Sequence, residues 1–332
     1  MKTFVVLLAF ATTTLSARNS QLRQENEKLF SLLEKTHGLN AEQLQKIRAI
    51  FAKARVMGQG NPIATKHPMT TEECRQKNQK LGTVFENETW QKICGHKYMS
   101  PLYDPESSSE ASATTCIDQF EFPNIPCEYP VVWVRTNEAA EICHVMGKRL
   151  CDTHEWEGAC DGQLKAADYR FDLVKASESA SASLKKMRRA HNRIHAQNKT
   201  WSYGTHFKKG VCAQNSVKNE GCNGGNWQKC GSNTYPSGAF PKCTNKFKVY
   251  DIHGNAAEHM SIPLKTADMS SLGSRTYGQT EMKGSWFIWD KYYAHQDFCR
   301  WRAPYWHGTK VMSKDSHHNY HLGFRCCSGK AK

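Results

Sequence analysis

Fourteen cysteines, an even number, all lie downstream of a short apolar leader, and they constrain this chain's fold more than any other feature. In the leader, Lys2 precedes an apolar run from Phe4 to Ala11, and small residues follow to Ser16 and Ala17. This is the pattern of an export signal over residues 1–17, cut within a residue or two of Ala17. The run is too short to cross a bilayer, and no later apolar stretch is long enough either. The expectation is a secreted or periplasmic protein with no membrane span. In an oxidising compartment such a cysteine set reads as a disulfide framework. Zinc is the rival reading, but no C-x-x-C pair occurs and the spacings match no zinc frame. Connectivity stays open at this level.

The chain has 332 residues, 39% of them apolar, which suffices for a core at this size. Its 45 Lys and Arg against 31 Asp and Glu give a net charge of +14. That balance favours acidic partners, although a solvated basic surface explains it as well. Lys185, Lys186, Arg188, Arg189 and Arg193 form a basic helical segment without interleaved aromatics, so nucleic-acid binding has no specific signal and a solvated surface helix is expected.

Leu44, Ile47, Ile50, Phe51 and Ala54 recur at helical spacing before Gly58 and Gly60, and Leu22, Leu29, Leu32 and Leu33 mark an earlier helix broken at Gly38. These helices serve either as a docking arm or, as the preferred reading, as an extension packed on their own domain. Residues 59–73 read as a linker and Ser107 to Ala113 as a loop. Ile117, Phe120 and Phe122 begin a strand-like run, and Pro130 to Arg135 reads as a strong strand. Thr136 and Asn137 offer caps for a helix through Cys143 and Met146, and Asp152 with Glu155 forms a capping-box pattern. Residues 163–200 look inserted. Beyond Trp201, Gly, Asn, Pro and Cys dominate and periodicity fades.

Three segments occur in one order: Gly147-Lys-Arg-Leu-Cys-Asp-Thr-His-Glu-Trp-Glu, then Val249-Tyr-Asp-Ile-His-Gly-Asn-Ala-Ala-Glu, then Gly284-Ser-Trp with Leu322-Gly-Phe-Arg-Cys-Cys. This order resembles the formylglycine-generating-enzyme, or sulfatase-modifying-factor, domain from about Cys94 to Cys327. The resemblance implies an α+β fold, irregular and loop-rich, like C-type lectins. It divides the chain into residues 18–73, a helical extension and linker, and 74–332, the main domain. It also implies a calcium ion held by the Asp251 and Glu258 side chains and the Gly254 and Ala256 carbonyls. Close-spaced carboxylate and carbonyl oxygens suit that ion. A second family calcium loop falls near Asn215 and Ser216, where the match is poor.

In the family's copper enzymes a cysteine pair follows the Gly-Ser-Trp segment. Here Ile288 takes the first position and the second falls near Tyr293, so the resemblance speaks against copper chemistry. Ser285 and Cys299 remain as catalytic candidates, with Cys299 better read as a disulfide partner of Cys326 or Cys327. Trp156 reads as core, and Arg149 with Glu155 as a structural pair. Iron could be held through His317, His318 and His321, with His295 and His307 upstream. Two functions follow. One is an exported oxidative maturation enzyme with altered metal chemistry, acting on a peptide or small molecule. The other is a non-catalytic lectin-like binding module for a protein or glycan. Fold alone does not choose between them.

Overall fold

The structure is a computed structural model that describes residues 3–288, 297–303 and 308–331. In chain order its elements are α1 (Thr3–His37), α2 (Ala41–Ala54), α3 (Thr71–Lys80), α4 (Glu88–Cys94), β1 (Met99–Leu102), β2 (Thr115–Asp118), α5 (Thr136–Val145), β3 (Arg149–Leu150), α6 (Thr153–Asp161), α7 (Ala180–His195), β4 (Ala257–Ile262), β5 (Gln279–Lys283), β6 (Leu322–Phe324) and β7 (Cys326–Gly329). The strands form two small sheets, ordered β1-β2-β7-β3 and β5-β4-β6. All pairings are antiparallel except β4 with β6. This is the expected irregular α+β arrangement, with long loops between short elements.

The N-terminal helices pack on their own domain. Gly38, at φ 64°, ends α1, and Asn40 caps α2 in a reciprocal box with Gln43. Leu44, Ile47 and Phe51 of α2 meet Leu29, Phe30 and Leu33 of α1, and this seam lies against Ile142 of α5 and Met146 just beyond it. Burying six such side chains is worth on the order of 10 kcal/mol before entropy, enough to dock the pair. Gln43 Nε2 donates to Val145 O at 2.9 Å, which ties α2 to the end of α5.

Strand β7 divides the interior. Successive side chains of a strand point to opposite faces. Cys326 therefore enters the core built by α1, α2 and α5, while Cys327 enters the one built around Trp156 of α6. The seven disulfides follow: 74–127, 94–116, 143–326, 151–327, 160–299, 212–243 and 222–230. Cys299 thus pairs with Cys160 of α6, not with Cys326 or Cys327, because Cys143 of α5 and Cys151, between β3 and α6, already claim those two.

Other expectations change in detail. Pro130–Arg135 is no regular strand. Val131 N–H donates to Phe122 O, Val132 N–H to Gly58 O and Trp133 N–H to Asn319 O, so three consecutive amides serve three different segments. Strand β2 stops at Asp118, and Phe120 and Phe122 lie buried beyond it. The cap of α5 is Arg135, whose N–H meets Glu138 Oε2 at 2.7 Å, rather than Thr136 or Asn137. The Asp152–Glu155 box is present at 2.9 Å, Glu155 pairs with Arg149, and Trp156 is fully buried. Helix α7 is not a purely solvated basic helix. Its Leu184, Met187, Arg188 and His191 are buried, and Arg188 Nε meets Glu281 Oε2 of β5 at 2.7 Å. A single charge in a helical repeat reads as surface, yet here a buried carboxylate across the packing receives it.

Candidate functional site

The Val249–Glu258 segment makes a tight loop under β4. Asp251 and Asn255 have positive φ, 55° and 52°. Gly254 must be glycine, since a Cβ there would stand 2.5 Å from Ala213 O. Asn255 stitches the loop, accepting from Tyr235 N–H at 2.8 Å and donating to Glu121 Oε2 at 2.6 Å.

Beneath the loop three buried carboxylates, Glu121, Asp251 and Glu258, share one guanidinium. Arg325 donates to Glu258 through Nη2 at 2.6 Å and Nε at 2.7 Å, and to the Asp118, Gln119 and Tyr250 carbonyls. Glu258 Oε2 also accepts from Trp156 Nε1 at 2.9 Å. Glu121 accepts from Ala256 N–H and Ser237 Oγ. Burial pushes the Glu121 and Glu258 carboxyls up despite Arg325, and Asp251 up to about 7. Asp251 Oδ2 accepts from Gly238 N–H at 2.5 Å, while its Oδ1 is buried with no hydrogen-bond partner. The excess of carboxylates and the orphaned Oδ1 suit a hard cation at Asp251. Glu258 contributes less, because Arg325 and Trp156 engage both its oxygens.

The candidates for catalysis converge beside this loop but are engaged. Ser285, 5% exposed, has its Oγ held by Gly254 N–H at 3.0 Å and Gln214 Nε2 at 2.9 Å. Ile288 packs against the buried group that holds Val132, Trp133, Phe287 and Tyr320, and bridges to Ser216. Ser216 N–H donates to Phe287 O at 2.9 Å and its neighbour Asn215 is exposed. Cys299 is buried in its disulfide with Cys160, and no cysteine is free. His253 Nε2 accepts from Ser202 N–H at 3.1 Å and lies 3.2 Å from Cys160 Sγ, and its Nδ1 faces Asp297 Oδ2 at 3.2 Å.

The C-terminal histidines do not converge on one point. His318 sits between the Trp133 carbonyl and Arg135, His317 contacts Asn319, and His321 is buried edge-on to Trp286. Burial pushes His321 well below its usual range. Tyr293, His295 and His307 lie outside the described residues.

Sequence reasoning missed the role of Glu121, which lies outside every motif, and of Arg325, which sits inside one without an obvious charge partner. It also missed a cleft of about 400 Å³ beside α5, bounded by Glu141, His144, Arg275 and Tyr277. Only the fold assembles that cleft.

The family described as the sulfatase-modifying factor enzyme 1-like domain matches residues 66–329. No curated protein matches the chain. Among solved structures, the Major Tropism Determinant M1 variant is similar at 11% identity, covering 70% of this chain and 55% of that one, with TM-score 0.31. The I1 variant shows 14% identity, 70% and 46% coverage, and TM-score 0.27. CarF shows 13% identity, 78% and 82% coverage, and TM-score 0.23. This chain thus spans about half the length of the tropism determinants it resembles. With the family signature running over most of its length, this chain belongs to the sulfatase-modifying factor enzyme 1-like domain family.

Proposed function

We propose that this domain is an exported binding module for a protein or glycan, in which the family's copper-dependent cysteine oxidation has been replaced by recognition. One observation carries the reading. Both candidate catalytic side chains are structurally engaged, Ser285 by two donors and Cys299 by Cys160. Copper activation of oxygen in this family needs a pair of thiolates, and Ile288 offers none. The apolar leader and seven disulfides support secretion or a periplasmic location. No described helix is long and apolar enough to cross a membrane. The cleft beside α5 joins the aromatic ring of Tyr277 to the exposed Arg275 and to His144 and Glu141, a mixture suited to a saccharide or peptide.

The test has two arms. Copper-loaded protein incubated with a peptide bearing a sulfatase-type cysteine motif is expected to yield no aldehyde by mass spectrometry; sustained turnover would overturn the reading. An array of neutral and sulfated oligosaccharides is expected to retain the protein, and Arg275→Glu and Tyr277→Ala should abolish retention. Binding that both variants leave intact would move the recognition face elsewhere.

We also propose a structural calcium ion on the Asp251 loop, with Asp251 as its side-chain anchor, the Gly254 and Ala256 carbonyls as further ligands, and Glu258 at its border. Chelator is expected to lower the melting temperature. At about 100-fold excess over Kd the ion contributes roughly 3 kcal/mol. Asp251→Asn should remove the chelator response. A melting curve indifferent to chelator in the unsubstituted protein would count against the ion.

A further inference from the structure

Helix α7 carries His191 and His195 one turn apart on the same face. The preceding segment brings Asp168 to them. Asp168 Oδ2 lies 3.1 Å from His191 Nδ1 and 2.8 Å from His195 Nε2, and all three atoms are within 4.8 Å of one another. The far side of His191 decides the chemistry. Its Nε2 is 2.7 Å from Arg300 O. A carbonyl only accepts, so Nε2 carries the hydrogen, and in the neutral ring Nδ1 presents a lone pair. That atom is buried, 3.1 Å from a carboxylate oxygen, and makes no hydrogen bond.

Two lone-pair atoms at that distance repel unless a proton or a metal ion lies between them. The surroundings match a metal's outer shell. A backbone carbonyl fixes the tautomer of His191, and Arg302 Nη2 orients Asp168 through Oδ1 at 3.0 Å. Around them Glu157, Asp161 and Asp168 balance Lys283, Arg300 and Arg302. Neutral nitrogen donors must therefore carry much of the bonding, which suits a borderline ion better than calcium.

We propose that Asp168, His191 and His195 form a site for a divalent transition-metal ion of the zinc or ferrous-iron class. The side chains of Asp168 and His195 remain 34% and 25% exposed, so the open coordination positions face solvent. Nothing in this site overlaps the Asp251 loop or the cysteines.

The test is a Co²⁺ titration of the tag-free, disulfide-intact protein, saturated with Ca²⁺ beforehand. One equivalent is expected to bind with visible d–d bands that Zn²⁺ bleaches. His195→Gln, at a partly exposed position, should fold and bind more than about 100-fold more weakly, or not at all, since losing a direct ligand costs more than losing an outer-shell partner. Asp168→Asn gives the same comparison should His195→Gln melt early, since the amide keeps the shape and an acceptor for Arg302. His317→Gln should leave the affinity unchanged. Absence of stoichiometric Co²⁺ binding would overturn the site. So would wild-type affinity in both His195→Gln and Asp168→Asn, or loss of binding in His317→Gln alone.

Discussion

Arg325→Met is expected to destabilise the protein by about 3–5 kcal/mol, because it strands a buried carboxylate without its counter-charge. For a chain of this size that lowers the melting temperature by about 4–7 °C. Arg325 is fully buried and neutralises Glu258 through two charge-assisted hydrogen bonds. It also satisfies three carbonyls from two other segments. Methionine fills similar volume but supplies no donor. Adding Glu258→Gln should recover part of the loss, since a neutral amide needs no counter-charge and still accepts from Trp156. Thermal melts of the two single variants and the double variant measure the coupling. An Arg325→Met protein melting within about 1 °C of wild type, less than 1 kcal/mol at this size, would show that the cluster does not depend on the guanidinium.

The second large effect concerns the disulfides. Alkylation without reductant is expected to label none of the fourteen cysteines. Peptide mapping without reduction should recover Cys160 linked to Cys299 and the adjacent Cys326 and Cys327 linked to Cys143 and Cys151. Removing the Cys143–Cys326 bond by paired substitution to alanine should cost about 2–5 kcal/mol, since it closes a very long loop. That bond spans 183 residues and pins α5, and with it the docked α1–α2 pair, to β7. Recovery of Cys299 linked to Cys326 or Cys327 would contradict the two-sided role of β7. Labelling of a thiol in native protein would contradict the closed framework.

Much of the architecture was legible in the residues. The 3.6-residue spacing of Leu44, Ile47 and Phe51 marks α2, because one helical stripe must be buried. Asp152 and Glu155 mark the start of α6, because a capping box is a local bargain between two residues three apart. The ordered motifs mark the family, since several short segments together are far more specific than any one.

What stayed hidden depends on contacts between distant segments. Pro130–Arg135 has strand composition, yet its amides serve three separate partners, and no local pattern encodes which strands stand beside it. Arg188 reads as one charge in a basic helix, and only the packing of α7 on β5 supplies Glu281.

The sequence by itself determined the family, the oxidised cysteine framework and the amphipathic helices. Helical periodicity, capping and residue chemistry are local properties, so they can be read along the chain. Only the tertiary structure decided which cysteine meets which, that Glu121 joins Asp251 and Glu258 under Arg325, and that Asp168 closes on His191 and His195. Those relations join residues up to about two hundred positions apart. They arise because β7 presents alternate side chains to two cores, and because charges buried among those cores must find partners wherever the fold brings them.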